Sequence, residues 1–235
     1  MRIALISDIH SNVPALSAVL DDIDRRNCDR IISLGDVLDM GPQPTETLNI
    51  LRQRGVTCIG GNHDPLDEEP NEPMLHAIEA WTRTQLSDAD RAWVDSWPFS
   101  TTVEAEGRTL LCVHGSPKND TDQILVDLPH ADLIGMVGDA QFDVMACGHT
   151  HVQLIRRLGK RVVVNVGSVG MPFEKPFMGK PPKVYPWAEY GIVELGAGGN
   201  QIELRQCAYD VSVLHQAARD IGMPAADQWI GNWVT

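Results

Sequence analysis

Short apolar runs alternate with helical periodicities through the first sixty residues. Arg2–Ser7 carries Ile3 to Ile6 in sequence and predicts a strand. Leu16, Val19, Leu20 and Ile23 then share one face of a 3.6-residue period, with Ser11 or Asn12 placed to cap that helix and Pro14 in its first turn. Arg30–Leu34 predicts a second strand, Thr45–Arg54 a second helix stopped by Gly55, and Val56–Ile59 a third strand. This order predicts parallel strands joined by crossover helices.

Residues 71–97 carry two helical patterns, with Ser87 as the cap between them and Pro98 after the second; Trp81, Trp93 and Trp97 are expected to pack on the sheet. From Ser100 the period changes to that of hairpins. Thr101–Glu106 pairs with Arg108–His114 about Gly107, Val152–Arg157 with Arg161–Val166 about residues 158–160, and Glu189–Leu195 with Gln201–Tyr209 across the Gly-rich turn at 196–200. Between them, 120–139 reads as polar loop and helix, and Phe142–Ala146 as a buried strand. Met171–Trp187 has no clear period and predicts a long surface loop, Val211–Ile221 a short helix, and the region 210–235 ends in a tail bearing Trp229 and Trp233. A mixed sheet, or two stacked sheets with helices outside, fits the series.

Composition narrows the class. At 235 residues with 43% hydrophobic and 22% charged residues, the chain is expected to form one α/β domain over 1–235. No apolar run approaches the ~18 residues of a membrane span. The first residues enter a strand without a basic stretch or cleavage site, so the expected location is cytoplasmic. Cys28, Cys58, Cys112, Cys147 and Cys207 have no CxxC spacing and are expected to be reduced, mostly buried thiols. A formal charge of −13 without any Lys/Arg cluster argues against long nucleic acids, while bound cations would still admit a small phosphorylated substrate.

Chemistry-bearing residues stand where apolar runs end. Ile3–Ser7 leads to Asp8-Ile9-His10, Ile31–Leu34 to Gly35-Asp36, and Val56–Ile59 to Gly60-Gly61-Asn62-His63-Asp64. Leu110–Val113 leads to His114-Gly115, and Val144–Cys147 to Gly148-His149-Thr150-His151. In α/β sheets ligands bind beyond the carboxyl ends of strands, so five such ends can converge. If these segments stay extended, residues i and i+2 point the same way, which pairs Asp8 with His10 and His149 with His151. Any one motif alone would pass as a cap, a turn or a hydrogen-bonded histidine. Five of the eight histidines at such ends, beside Asp, Asn and Gly, make coincidence a poor account. The mixed nitrogen and oxygen set suits Mn, Fe, Zn or Ni, and no cysteine is aimed at a structural zinc.

The ordered set Asp-x-His, Gly-Asp, Gly-Asn-His-Asp, His-Gly and Gly-His-Thr-His, spanning 8 to 151, resembles the calcineurin-like metallophosphoesterase superfamily. Gly41-Pro42-Gln43-Pro44, Trp81-Thr82-Arg83 and Asn165–Gly170 further resemble its small bacterial and archaeal phosphodiesterase branch. The resemblance implies an α/β fold, a four-layer α/β/β/α sandwich of two mixed sheets with flanking helices. It implies two divalent transition-metal ions, Mn2+ first among them, with Asp8, His10 and His151 on one, Asn62, His114 and His149 on the other, and Asp36 bridging. His63 would face the substrate phosphate and Asp64 would orient His63. Hydrolysis of a phosphodiester, or a monoester, by a hydroxide shared between the metals follows. The family's phosphoprotein phosphatases carry an arginine where Met40 follows Asp39, and a glutamate where Pro65 follows Asp64, so phosphoprotein substrates fit less well. A dinucleoside polyphosphate hydrolase is the other enzymatic reading, and a catalytically silent scaffold the reading of another class.

Asn12 either supports the site or caps its helix. Gly167 and Ser168 either offer backbone N–H groups to the metals or form a strand-exit turn. The 171–187 loop, with Lys175, Lys180 and Lys183, either closes over an anionic substrate or stays solvated. Trp229 and Trp233, four residues apart, either pack the tail or form a contact in a homo-oligomer.

Overall fold

The computed structural model describes residues 1–66 and 72–234; Asn71 and Thr235, at the ends of two segments named above, lie outside the described residues. In chain order it contains β1 (Arg2–Ile6), α1 (Val13–Asp24), β2 (Arg30–Ser33), α2 (Pro44–Gln53), β3 (Thr57–Cys58), α3 (Pro73–Gln85) and α4 (Asp88–Val94). These are followed by β4 (Ser100–Ala105), β5 (Arg108–Val113), α5 (His130–Val137), β6 (Val144–Cys147), β7 (Leu154–Leu158) and β8 (Arg161–Asn165). The chain closes with β9 (Trp187–Gly196), β10 (Gly199–Ala208), α6 (Val211–Asp220) and α7 (Ala226–Ile230).

The strands form two five-stranded mixed sheets, in the orders β10-β9-β1-β2-β3 and β4-β5-β6-β8-β7. In the first, β1, β2 and β3 are parallel and the β9–β10 hairpin adds antiparallel to β1. In the second, β5, β6 and β8 are parallel, flanked by antiparallel β4 and β7. Strand alternation sorts β1 between two cores. Ile3 and Leu5 point between the sheets, where they meet Leu110, Val144, Ala146 and Val164. Ala4 and Ile6 point outward to Leu16, Val19 and Leu48 of the helices. On the far side of the second sheet, Val113, Met145 and Val163 bury α5 through Leu133 and Val137. Helix, sheet, sheet and helix are thus stacked in four layers.

Local chemistry sets the ends of the elements. Asn12 caps α1, its Oδ1 accepting from the Ala15 N–H at 3.1 Å, and Ser87 with Asp90 forms a reciprocal capping box on α4. The third strand is shorter than its apolar run predicts, two residues against four, because it sits at the sheet edge and pairs only with β2. Trp93 and Trp97, expected on the sheet, pack against the cluster that the first sheet shares with its helices, with Arg52 of α2 over the Trp93 ring. Trp81 instead joins a separate cluster with α3, α6 and the tail, in which Trp229 and Trp233 are 1% and 3% exposed. Those two tryptophans therefore pack the tail onto this chain. Among the described residues no helix is long and apolar enough to cross a membrane.

Candidate metal centre

The parallel strands of each sheet bring their carboxyl ends to one edge, and the backbone locks those ends together. Asp8 N–H donates to Gly35 O (3.0 Å), Gly148 N–H to His114 O (2.8 Å) and Gly170 N–H to Asp8 O (2.9 Å). The segments beyond the strands are not extended. Asp8, His10, Asp36, His149 and His151 have φ of 52°, 46°, 51°, 65° and 57°, all left-handed. The expectation that strand alternation aims Asp8 with His10, and His149 with His151, is therefore corrected: tight left-handed turns aim them. Each such residue costs on the order of 1–3 kcal/mol, a strain that concentrates at functional sites.

Glycines make room for the turns. A Cβ on Gly148 would run into the Asp8 carboxylate and the Ser7 hydroxyl, and one on Gly61 into the Asp36 carboxylate.

Asp8, His10, Asp36 and His151 bring one ligand atom each within 4.8 Å of one another, and Asp36, His114 and His149 do the same, so Asp36 belongs to both groups. Three histidines are oriented alike. Nδ1 of His10, His114 and His151 each faces a backbone carbonyl, Leu38 O at 3.2 Å, Leu34 O at 2.8 Å and Met171 O at 2.7 Å. A carbonyl only accepts, so Nδ1 carries the proton and Nε2 of a neutral ring turns a bare lone pair inward. His10 Nε2 and His151 Nε2 stand 3.1 Å apart, an arrangement that repels unless a cation lies between them. His114 Nε2 is 3.1 Å from Asp36 Oδ2 and His151 Nε2 3.3 Å from Asp8 Oδ1. Asn62 Oδ1 is buried with no protein partner, which by itself costs about 1–3 kcal/mol. These residues fit divalent transition metals: nitrogen and oxygen donors and facing lone pairs stand around two buried carboxylates, and Asn62 adds an orphaned amide oxygen.

The electrostatics agree. Burial pushes His10 down to about 4, and the neighbouring His151 adds to it; burial, then the charge of His114, takes His149 to about 4. Both imidazoles are neutral at neutral pH, the form that can donate to a metal. Burial works against charge on Asp8 and Asp36, but the facing imidazoles of His151 and His114 hold both below the usual carboxylate range. His114 is also opposed by burial, yet Asp36 raises it to about 10; a cation in the cleft would take the place of that proton.

His63 stands beside this cluster. Its backbone N–H donates to Asp36 Oδ1 at 2.9 Å, and its Nδ1 pairs with Asp39 Oδ2 at 3.0 Å. Burial opposes its charge, but Asp36 and the hydrogen bond to Asp39 raise it to about 9. The expectation that Asp64 orients His63 is corrected. The Asp64 carboxylate instead accepts from the backbone N–H groups of Asp36, Val37, Leu38 and Gly61 at 2.8–3.1 Å, bracing two motif turns against each other. Burial and the charge of Asp36 push it up to about 7. Asp39 is the residue that sequence reasoning missed; the signal was its place three residues after Asp36 in a Gly-bounded turn, where a second carboxylate has no capping task.

The secondary candidates brace the site from outside. Asn12, besides capping α1, donates to Gly170 O at 2.8 Å and to Tyr209 Oη at 3.1 Å. Gly167 (φ 75°) donates its N–H to Asn165 Oδ1 at 2.9 Å, as a strand-exit turn does. Ser168 Oγ donates to Asp8 O at 2.8 Å and accepts from Met171 N–H at 2.8 Å. The 171–187 loop forms a wall of the site. Phe173 stacks on His151 with 4.1 Å between ring centroids, and Phe173 and Phe177 line a chamber of about 160 Å³ with Asp36, His63, His149 and His151.

The chain belongs to the calcineurin-like phosphoesterase superfamily, whose domain matches residues 1–180. It is 27% identical over 241 residues to an uncharacterised protein of Methanocaldococcus jannaschii, covering 97% of this chain and 95% of that one. It is 26% identical over 188 residues to the phosphodiesterase YfcE of Escherichia coli K12, covering 73% of this chain and 81% of that one. Among solved structures, a metallophosphoesterase from Sphaerobacter thermophilus is 27% identical and superposes with a TM-score of 0.76 over 99% of this chain and 100% of the other. A hypothetical protein from Pyrococcus horikoshii OT3, 19% identical, shares the fold with a TM-score of 0.82 over 98% and 96%. These comparisons support a phosphoester hydrolase of α/β sandwich fold.

Proposed function

We propose that the protein hydrolyses phosphodiesters, with monoesters as the weaker class, using two divalent transition-metal ions of which Mn2+ is the first to load. Asp8, His10 and His151 would hold one ion, Asn62, His114 and His149 the other, with Asp36 shared. The observation that carries this reading is the pair of bare Nε2 atoms of His10 and His151, 3.1 Å apart and flanked by two buried carboxylates. When bound, the ions supply positive charge against the phosphoryl oxygens and lower the pKa of the attacking water.

The chain's own groups do the remaining work. The Nδ1–H bonds to three backbone carbonyls fix the ligand tautomers and ring planes. His63, protonated through Asp36 and Asp39, donates its proton to the departing ester oxygen, which leaves poorly as an alkoxide. Phe173, stacked on His151, shields the ring from bulk water. Similarity to YfcE, named a phosphodiesterase, supports the preference for diesters.

The test is a screen of Mn2+-reconstituted protein against aryl phosphodiesters, aryl monoesters, cyclic nucleotides and dinucleoside polyphosphates, with metal counted per chain. Two metal ions and turnover highest on diesters are expected. At most one ion after reconstitution would sink the two-metal assignment, and two ions with no turnover on any class would leave a catalytically silent scaffold.

A further inference from the structure

A second cavity, of about 360 Å³, adjoins the metal chamber and shares Met40, Leu75, Phe173 and Phe177 with it. Its other walls include Met171 and Trp229, from the 171–187 loop and the tail. The volume lies in the range of small-molecule sites, roughly 300–1,000 Å³, and is more than twice the roughly 150 Å³ that holds a benzene ring. Phe177 is 47% exposed at its edge, so the space reaches solvent. Among the described residues lining it, Glu72 alone carries a charge, and its carboxylate is already engaged as the cap of α3, accepting from Leu75 N–H at 2.9 Å.

We infer that this cavity receives the organic substituent of the phosphoester, an uncharged aromatic or alkyl group, while the phosphoryl group sits at the metals. The inference deepens the phosphoesterase reading and rests on it. Two observations select this occupant. The four shared residues place the cavity next to the chamber lined by His63, His149 and His151, so an organic arm on a phosphorus held there has this apolar space as its neighbour. The described lining residues offer no cation, so a second phosphate or a polyphosphate arm would be stripped of water against methionine, phenylalanine and proline. An apolar arm gains there what a charged one loses.

Alkylphosphonates test this directly, because each has one organic arm and is not hydrolysed. Calorimetric titration of Mn2+-loaded full-length protein with inorganic phosphate, pyrophosphate, and methyl-, butyl- and hexylphosphonate should give a Kd that falls about fourfold per added methylene. Leu75→Trp, which enlarges a side chain lining both spaces, should flatten the series while metal content and thermal midpoint are kept. Phe177→Ser, at an exposed position, should weaken hexylphosphonate several-fold more than it weakens methylphosphonate, and stands in should Leu75→Trp fail to fold. A flat series in the unaltered protein, a steep one that neither variant changes, or pyrophosphate binding tighter than hexylphosphonate would overturn the inference. Metal-loaded protein that binds neither phosphate nor methylphosphonate would remove the phosphoesterase reading, and this inference with it.

Discussion

Asp39 is fully buried, and one of its carboxylate oxygens pairs with His63 Nδ1 while the other has no protein partner. Such a carboxylate is costly to bury unless its charge is used, and the charge it meets is that of His63. Asp39→Asn keeps the size and an acceptor for Nδ1–H but removes the charge that stabilises the imidazolium. With His63 as proton donor, kcat should fall on the order of 10- to 100-fold with two metals still bound, since general acid catalysis contributes about 100-fold or more. An unchanged kcat, or a loss measured together with lost metal, would mean that the pair only braces the turn. At the same scale, Gly148→Ala should abolish metal binding outright, because its Cβ would displace the Asp8 carboxylate. Elemental analysis of the purified variant checks it, and two ions per chain would refute the crowding argument.

Between elements, the tie most exposed to test is Asp22. From α1 it accepts from Tyr190 Oη of β9 at 2.7 Å and Arg205 Nε of β10 at 2.8 Å, and it pairs with Arg25 and Arg26. Burial works against its charge, but the hydrogen bonds from Tyr190, Arg205 and Arg26 hold its pKa well below the ordinary value. A depressed carboxylate contributes stability above its unfolded pKa of about 3.9 and loses it as pH falls toward the folded value. Asp22→Ala should therefore cost roughly 2–4 kcal/mol near pH 7, from lost charged hydrogen bonds and an orphaned tyrosine hydroxyl. The gap between variant and parent should narrow below about pH 4. Urea unfolding at pH 7 and pH 3 measures both, and a gap that is equal at the two pH values would refute the assignment. None of this was legible in the sequence, since Asp22 lies on a helix 168 residues from Tyr190. What was legible had local carriers: apolar runs marked the strands, and Gly-flanked Asp, Asn and His marked their ends. Left-handed φ at Asp8, His10, Asp36, His149 and His151 leaves no periodicity to read. The Phe173–His151 stack joins an aperiodic loop to a strand end, and the Asp39–His63 pair joins two turns; contacts of that kind exist only once the sheets have met.

For the whole molecule, the candidate metal centre spans the two sheets. Asp8, His10, Asp36 and Asn62 follow strands of the first sheet, and His114, His149 and His151 follow strands of the second. Without cations, His10 and His151 face each other and Asn62 keeps an unpartnered amide oxygen, so the join between the sheets lacks what cations would add to the His114–Asp36 and His151–Asp8 pairs. Cations that bind the folded chain alone stabilise it by mass action, about 4 kcal/mol per site at a thousandfold excess over Kd. For a chain of this size that corresponds to a rise in Tm of roughly 8–16 °C per site. Differential scanning calorimetry of chelator-treated protein, before and after Mn2+ addition, should show that rise. The double variant His10→Ala, His149→Ala, which takes one ligand from each group, should lose most of it. An equal rise in the double variant would place the stabilising ions elsewhere on this acidic chain of net charge −13, and the candidate metal centre would then have no part in its stability.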